Sequence, residues 1–347
     1  MKKGLLFSLF VLLTGGLILS SCKKEADEQE EEPVLTGLEK AKKDYQDLYV
    51  GTKLNSIGWT GSETACNSGD VDAITREKVV KRVNYYRAMN DLPPVTLNKA
   101  QSKSCQDAAL IMMANNTLTH HPSAGMKCYT QAGYDAASTG NIAIGWGSEE
   151  PEANHSINAV SGFIEDHGGG NEVVGHRAWL LHPALSAIGT GSVYNDNHVY
   201  HAPNGQTYHK GAANCIRWGD NLNGSSAGPK FIAYPPANYI PSVLVFARWS
   251  FAIADADFSA ANVEVKSGST TYQCNVIARV PQSGSVNPAA RIVWEPNNID
   301  IQSDMDFTVT VSGILGAEKT SYTYTVKAFK VDGTARKAGS QGRMQIL

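Results

Sequence analysis

The stretch Gly175-His176-Arg177-Ala178-Trp179-Leu180-Leu181-His182-Pro183, running on to Ile188-Gly189-Thr190-Gly191, constrains the fold more than any other part of the chain. A histidine follows a glycine and begins a short apolar helical turn. A proline stops that turn, and a Gly-x-Gly strand comes next. Polar chemistry is thereby presented at the mouth of an element whose other side chains, Trp179, Leu180, Leu181 and Leu185, call for burial. All nine histidines lie between His120 and His209, so function is expected in the middle of the chain. Read without context, the same segment equally describes a helix start with a hydrogen-bonded core histidine.

The elements around this motif follow from periodicity. Residues 38–49 read as a short helix, and 51–72 as a loop rich in Gly, Ser, Thr and Asn. Residues 74–90 form a helix with Ile74, Val79, Val80, Val83, Tyr86 and Met89 near one face and Arg76, Lys78, Lys81 and Arg82 away from it. Pro93-Pro94 ends that helix. Asn98 caps a second helix through Asn115, with Cys105, Ala108, Ala109, Met112 and Met113 closely packed. Residues 157–166 form a third helix. Short strands follow at 187–194, 199–202 and 214–218. Helices first and strands afterwards imply an α+β layer fold.

A boundary falls at 224–229, where the helical period disappears. Seven short strands are expected beyond it, at 243–246, 249–253, 263–266, 272–278, 291–294, 307–311 and 322–329, as in an immunoglobulin-like β-sandwich. This part holds no histidine and no clustered acids, so it is assigned no catalysis; it docks, spaces, or binds carbohydrate or protein. Two motifs are decoys. Gly224-Ser225-Ser226-Ala227-Gly228 has the G-x-S-x-G pattern of serine hydrolases but lacks the strand and helix that such an elbow requires. His167-Gly168-Gly169-Gly170 imitates an oxyanion-hole motif without a nucleophile and reads as a loose loop beside the cleft.

The N-terminus addresses the chain elsewhere. Met1-Lys2-Lys3 is a basic n-region, residues 5–19 are an apolar run too short to span a bilayer, and Leu19-Ser20-Ser21-Cys22 resembles the lipobox of bacterial lipoproteins. The expected division is a signal peptide over 1–21 and an acidic disordered tether over 22–35. The tether's acidic run resembles a surface-export signal. A first domain over 36–223, a linker over 224–240, a β-domain over 241–332 and a tail over 333–347 complete it. A lipidated Cys22 makes the membrane a partner and places the protein at the bacterial outer membrane or cell surface. The net charge of −3 and a pI near 6.3 exclude an electrostatic footprint for nucleic acid. The protein is expected to be a monomer. Of the five remaining cysteines, Cys66 and Cys128 lie in loops and are expected to pair, while Cys105 lies on an apolar helix face as a buried thiol.

Several ordered motifs now converge: VNYYRAMNDLPPVTLNKAQSKSCQDAALIMMANNTLTH, then GNIAIG, then AV-x-x-F, then GHRAWLLHPALSAIGTG. Together they resemble the CAP superfamily, the SCP domain of cysteine-rich secretory, antigen 5 and pathogenesis-related proteins, over residues 75–220. The resemblance implies an α-β-α sandwich with a cleft of two histidines and two acids. Matched position by position, the histidines are His120 and His176, and one acid falls on Asp166 or Glu165, with Asp166 favoured. The other acid is replaced by Gly140, just before Asn141. The implied ligand-binding set is His120, Asn141, Asp166 and His176, and His120, Asp166 and His176 are the candidate catalytic residues. His120 and His176 are the implied ligands for a divalent metal such as zinc. A glutamate restored at Gly140 would strengthen that hold. Three functions remain open: a cleft that binds a small apolar molecule or a metal, a metal-assisted hydrolase, and a surface interaction protein with no active cleft.

Overall fold

The computed structural model describes residues 35–147, 155–224, 228–284, 287–331 and 344–346. The chain divides into units Met1–Leu35 and Thr36–Leu347. The signal sequence, Cys22 and nearly all of the acidic tether lie outside the described residues, as do Ser225, Ser226 and Ala227 of the decoy elbow. Among the described residues no helix is long and apolar enough to cross a membrane.

The first half carries helices α1 (Gly37–Asp44), α2 (Ala73–Ala88), α3 (Lys99–Asn115), α4 (Gln131–Ser138), α5 (His155–Glu165) and α6 (Gly175–Leu180). Its strands are β1 (Thr96–Leu97), β2 (Gly140–Gly147), β3 (Ala187–Asn195), β4 (Tyr200–His201), β5 (Thr207–Tyr208) and β6 (Lys210–Arg217). The main sheet runs β1-β3-β6-β2, with β1 parallel to β3 and the other neighbours antiparallel.

Side chains alternate across that sheet and meet helices on both faces. Ile142, Ile144, Ala213 and Cys215 pack with Cys105, Ala109 and Met113 of α3 and Ala136 and Ala137 of α4. Ala143 and Ile216 belong instead to the cluster of Val79, Val83 and Tyr86 of α2 and Ile157, Val160 and Phe163 of α5. The result is an α-β-α sandwich. Gly191 permits it, because a Cβ there would run into the backbone of Cys105 and Gln106 on α3. At the start of α3, Asn98 Oδ1 accepts a hydrogen bond from Gln101 N at 3.1 Å, and Asn116 ends the helix in the left-handed region.

One arginine on α2 departs from the sequence reading, and a second is buried with it. Arg82, expected to face away, is buried: its guanidinium donates to Thr52 Oγ1, Ser161 Oγ and Tyr49 O and lies 3.6 Å from the centre of the Tyr49 ring. Arg87 is buried too, and donates to the carbonyls of Pro93, Leu180, His182 and Leu185. Hydroxyls and loop or helix-end carbonyls from distant parts of the chain supply the acceptors, which helical periodicity does not register.

The second half is β-rich: β7 (Ile232–Tyr234), β8 (Asn238–Pro241), β9 (Trp249–Ile253), β10 (Asn262–Ser267), β11 (Thr270–Tyr272), β12 (Cys274–Val280), β13 (Ala290–Pro296), β14 (Met305–Ser312) and β15 (Ser321–Phe329). They form two sheets, ordered β12-β13-β9-β7 and β11-β10-β14-β15-β8, antiparallel throughout except for β8 beside β15. Rings close the space between the sheets, with Trp249 and Phe307 centred 5.6 Å apart and Phe251 and Tyr322 5.7 Å apart. The expected linker over 224–240 contains β7 and the start of β8. Residues expected as a strand at 243–246 belong instead to a 3₁₀ turn, Ser242–Leu244, and the segment after it. There Tyr234 donates its hydroxyl to Leu244 O at 2.6 Å, which holds the segment away from either ladder.

Both chain ends cross between the halves. Helix α1 lies against β8. A short strand β16 (Met344–Ile346), in the expected tail, pairs antiparallel with β2, placing Gln345 opposite Ile144 and burying Ile346 opposite Ala143.

Candidate functional site

The turn into α6 brings Asp166 and His176 together. Asp166 follows α5 with φ +56°, and this left-handed residue turns the chain back toward α6. Its side chain is fully buried, with Oδ1 2.7 Å from His176 Nδ1 and Oδ2 accepting the backbone N–H of Arg177 at 3.1 Å. A carboxylate only accepts, so His176 carries its proton on Nδ1 when neutral, and Nε2 is the basic nitrogen. The Phe163 ring stacks on the imidazole, with centroids 5.3 Å apart. Of the two acids allowed by the sequence, Asp166 faces the histidine; Glu165 offers its carbonyl to Arg177 Nη2 at 3.0 Å.

His120, half-buried in the loop after α3, is held differently. Its Nδ1 lies 2.6 Å from Ala137 O, near the end of α4, and since a carbonyl cannot donate, Nδ1 again bears the proton. Asn141 lies four residues further along, at the start of β2. Its Nδ2 donates to His176 O at 3.0 Å, and its Oδ1 accepts from Trp218 Nε1 at 3.1 Å. Trp218 in turn stacks on Trp179 at 3.7 Å. Asn141 therefore engages both amide ends inside the protein and ties the start of β2 to α6. Both histidines are thus tied to the short stretch of chain between Ala137 and Asn141.

These motifs sit in the first half of the chain and share one layered fold, and residues 80–238 match the family described as CAP, the cysteine-rich secretory protein family. This segment is similar to a CAP domain. Its match ends at the first residue of β8. No curated protein and no solved structure gives a match.

The CAP domain departs from its family's pattern at Gly140 for a steric reason. A Cβ at Gly140 would stand 2.8 Å from Ala136 O and 2.9 Å from Ile216 O, both backbone atoms. No side chain fits there, so the glutamate suggested for this position finds no room. Metal ligation is limited for a related reason. Among the described residues no group of three or more His, Cys, Asp or Glu side chains is placed to hold a metal ion. Both oxygens of Asp166 already serve His176 and Arg177, which suits an acid that orients a histidine rather than one that ligates. Two imidazoles do not make a closed zinc site.

Other histidines are placed elsewhere. His121 is exposed beside Tyr134. His182 accepts the N–H of Ala184 on Nδ1 at 3.1 Å, and burial, together with the charge of Arg87, lowers its pKa. His155 is buried against Asn214, and desolvation pushes it down to about 4. The glycine loop after His167 is not slack: Arg248, from the second half, donates to Asp166 O at 2.5 Å, Gly168 O at 3.3 Å and Asn171 O at 2.9 Å.

One polar cluster had no signal in the sequence. Glu63 sits 2.9 Å from His198 Nδ1 and accepts from Asn195 Nδ2 at 2.6 Å, while His198 Nε2 lies 2.7 Å from Asn116 Oδ1. Trp146 Nε1 donates to that same Asn116 oxygen at 2.8 Å, which fixes it as an acceptor, so both His198 nitrogens face acceptors. Burial works to raise the Glu63 pKa, but the hydrogen bonds and charge of His198 and the bond from Asn195 outweigh it and hold it below the usual value. The loop bearing Glu63 is closed by a disulfide between Cys66 and Cys128. Cys105 and Cys215 are buried free thiols, with their sulfurs 3.3 Å apart.

Proposed function

We propose that the CAP domain binds a small, largely apolar ligand in a cleft at His176 and His120, in an exported protein anchored through Cys22. The observation that carries this reading is the buried Asp166–His176 pair. Holding a carboxylate at full burial to orient one imidazole is costly unless that imidazole has work to do. It fixes the tautomer and the orientation of the imidazole, beside the apolar face of Phe163. The Cys66–Cys128 disulfide supports an oxidising compartment, and the Leu-Ser-Ser-Cys sequence supports lipidation. The two strand orders of the second half support an immunoglobulin-like β-sandwich, because four strands in one sheet and the rest in the other follow that fold's arrangement. A metal-assisted hydrolase would need a third ligand that the described residues do not supply.

The test uses the chain from Thr36, without leader and tether, which forms one compact unit. Native mass spectrometry should find a copurified apolar small molecule on wild type and lose it in His176→Ala. Zinc titration should give no affinity that depends on His120 and His176. Micromolar zinc binding abolished by His120→Ala/His176→Ala would move the reading to a metal site. Absence of both ligands would leave a surface interaction protein. Cys22→Ala in the full-length chain should release the protein from membranes; an unchanged membrane fraction would remove the anchor.

A further inference from the structure

A second pocket lies where α6 meets the β-rich half, between the end of α6 and strands β7, β9 and β13. Its walls are mainly apolar, Ile232 and Ala252 among them, and its polar groups include Arg177, His182, Ser250 and Arg291. Among the described residues no carboxylate lines it.

The charges around the pocket do not balance. Among the described residues four arginines are buried, Arg82, Arg87, Arg177 and Arg291, against a single buried carboxylate, Asp166. Arg82 lies apart, over Tyr49. The other three converge on α6 and its flanks. Arg87 bonds the carbonyls of Leu180, His182 and Leu185. Arg177 bonds those of Ile164, Glu165 and Arg248, and Ser250 Oγ. Arg291 bonds Val173 O at 2.7 Å and Ala289 O at 3.3 Å through Nε and Nη1, and no acceptor is seen for its Nη2 among the described residues. Arg248, beside them, is answered by Glu295 at 3.1 Å. Arg177 and Arg291 thus share one carboxylate, which is itself engaged by His176, while Arg87 is met by backbone carbonyls.

Buried charges are as a rule matched by opposite ones, because carbonyl dipoles alone repay little of the lost hydration. The surplus here borders an open, apolar pocket. His182 adds no charge, since its Nδ1 accepts from Ala184 and burial keeps the ring neutral. Burial also brings Arg291 down to about 10, which leaves it fully charged at neutral pH. A phosphate would ask for several donors or a cradle of backbone amides; one guanidinium edge above apolar walls suits a carboxylate with a short hydrocarbon body.

We infer that this pocket binds a small monocarboxylate, its carboxylate meeting Arg291 and its apolar body lying against Ile232 and Ala252. The site is separate from the His120–His176 cleft and does not depend on that cleft having a ligand. Calorimetric titration of the chain from Thr36 with butyrate, and with butyramide as the uncharged isostere, tests it. Butyrate should bind, with butyramide at least tenfold weaker. Arg291→Met should weaken butyrate at least tenfold, and Ala252→Leu, which fills the pocket from its apolar wall, should abolish binding while keeping a cooperative thermal transition. His120→Ala should leave butyrate affinity unchanged. Absence of butyrate binding, equal affinity for butyramide, or undiminished binding by folded Ala252→Leu would overturn the inference. If Arg291→Met does not fold, the isostere and Ala252→Leu still decide it.

Discussion

Replacing Asp166 by Asn tests whether the buried carboxylate is what organises the turn into α6. The two side chains are nearly the same shape, so no cavity forms, but the amide can accept through one oxygen only. Either the His176 Nδ1 proton, now 2.7 Å from Oδ1, or the Arg177 N–H, 3.1 Å from Oδ2, would face an NH₂ group instead. An unsatisfied buried donor costs about 1–3 kcal/mol. Loss of the only buried carboxylate near Arg177 adds to that, since breaking a buried charge pair costs about 3–5 kcal/mol in all. We expect Asp166→Asn to lose about 3–4 kcal/mol. At roughly 2 °C per kcal/mol for a chain of this size, the melting temperature should fall about 6–8 °C. Urea denaturation gives the free energy, and ¹⁵N spectra of the imidazole report whether His176 still carries its proton on Nδ1. A loss below about 1 kcal/mol with the tautomer unchanged would refute the reasoning, because the carboxylate would then be dispensable to both partners.

Three further outcomes are expected. Cys66→Ser/Cys128→Ser removes a crosslink between residues 62 apart, and loop-closure entropy for that span amounts to about 4 kcal/mol; reversible unfolding in urea should show most of that loss, and a change under about 1 kcal/mol would mean that the two loops are held by other contacts. Glu63 is held below its ordinary value of 4.5 in the folded state, so its stabilisation is complete above that value and disappears as pH falls through the lower folded one. Melting temperatures between pH 6 and 3 should therefore drop more steeply for wild type than for Glu63→Gln, and parallel curves would count against the pair with His198. Gly191→Ala should cost about 3 kcal/mol or prevent folding, because its Cβ meets α3 backbone; a melting temperature equal to wild type would show that α3 can shift away from β3.

Much of the layering was legible because it depends on periodicity. The Asn98 cap, the packed face of α3 and the alternation of Phe307, Val309 and Val311 are local signals with direct structural outcomes. Strand β2 was not legible in the same way: every residue of it is buried, since helices cover both faces of the sheet, and a Gly-rich run without alternation does not announce a strand. The site divides similarly. The motif around His176 is written in the sequence, and so is the turn that carries Asp166. The steric closure at Gly140, the engaged amide of Asn141 and the burial of Arg82, Arg87 and Arg291 depend on backbone atoms distant in sequence. Glu63 and His198, 135 residues apart, meet only once the chain is folded.

The two halves of this molecule are not separable at the place where the sequence changes character. Helix α1 precedes the CAP domain in the chain yet lies against β8 of the β-rich half, and β16, more than a hundred residues beyond that place, extends the edge of the CAP sheet. Arg248 and Arg177 reach across in opposite directions, each to the other half's backbone. A single nick near the expected linker would therefore leave two fragments still clasped together, much as a split protein reassembles. Either half expressed alone would lack a piece of its own surface cover. The edge of the CAP sheet at β2 is therefore covered only once residues 344–346 have paired with it, so folding of that sheet waits on chain far beyond the expected linker.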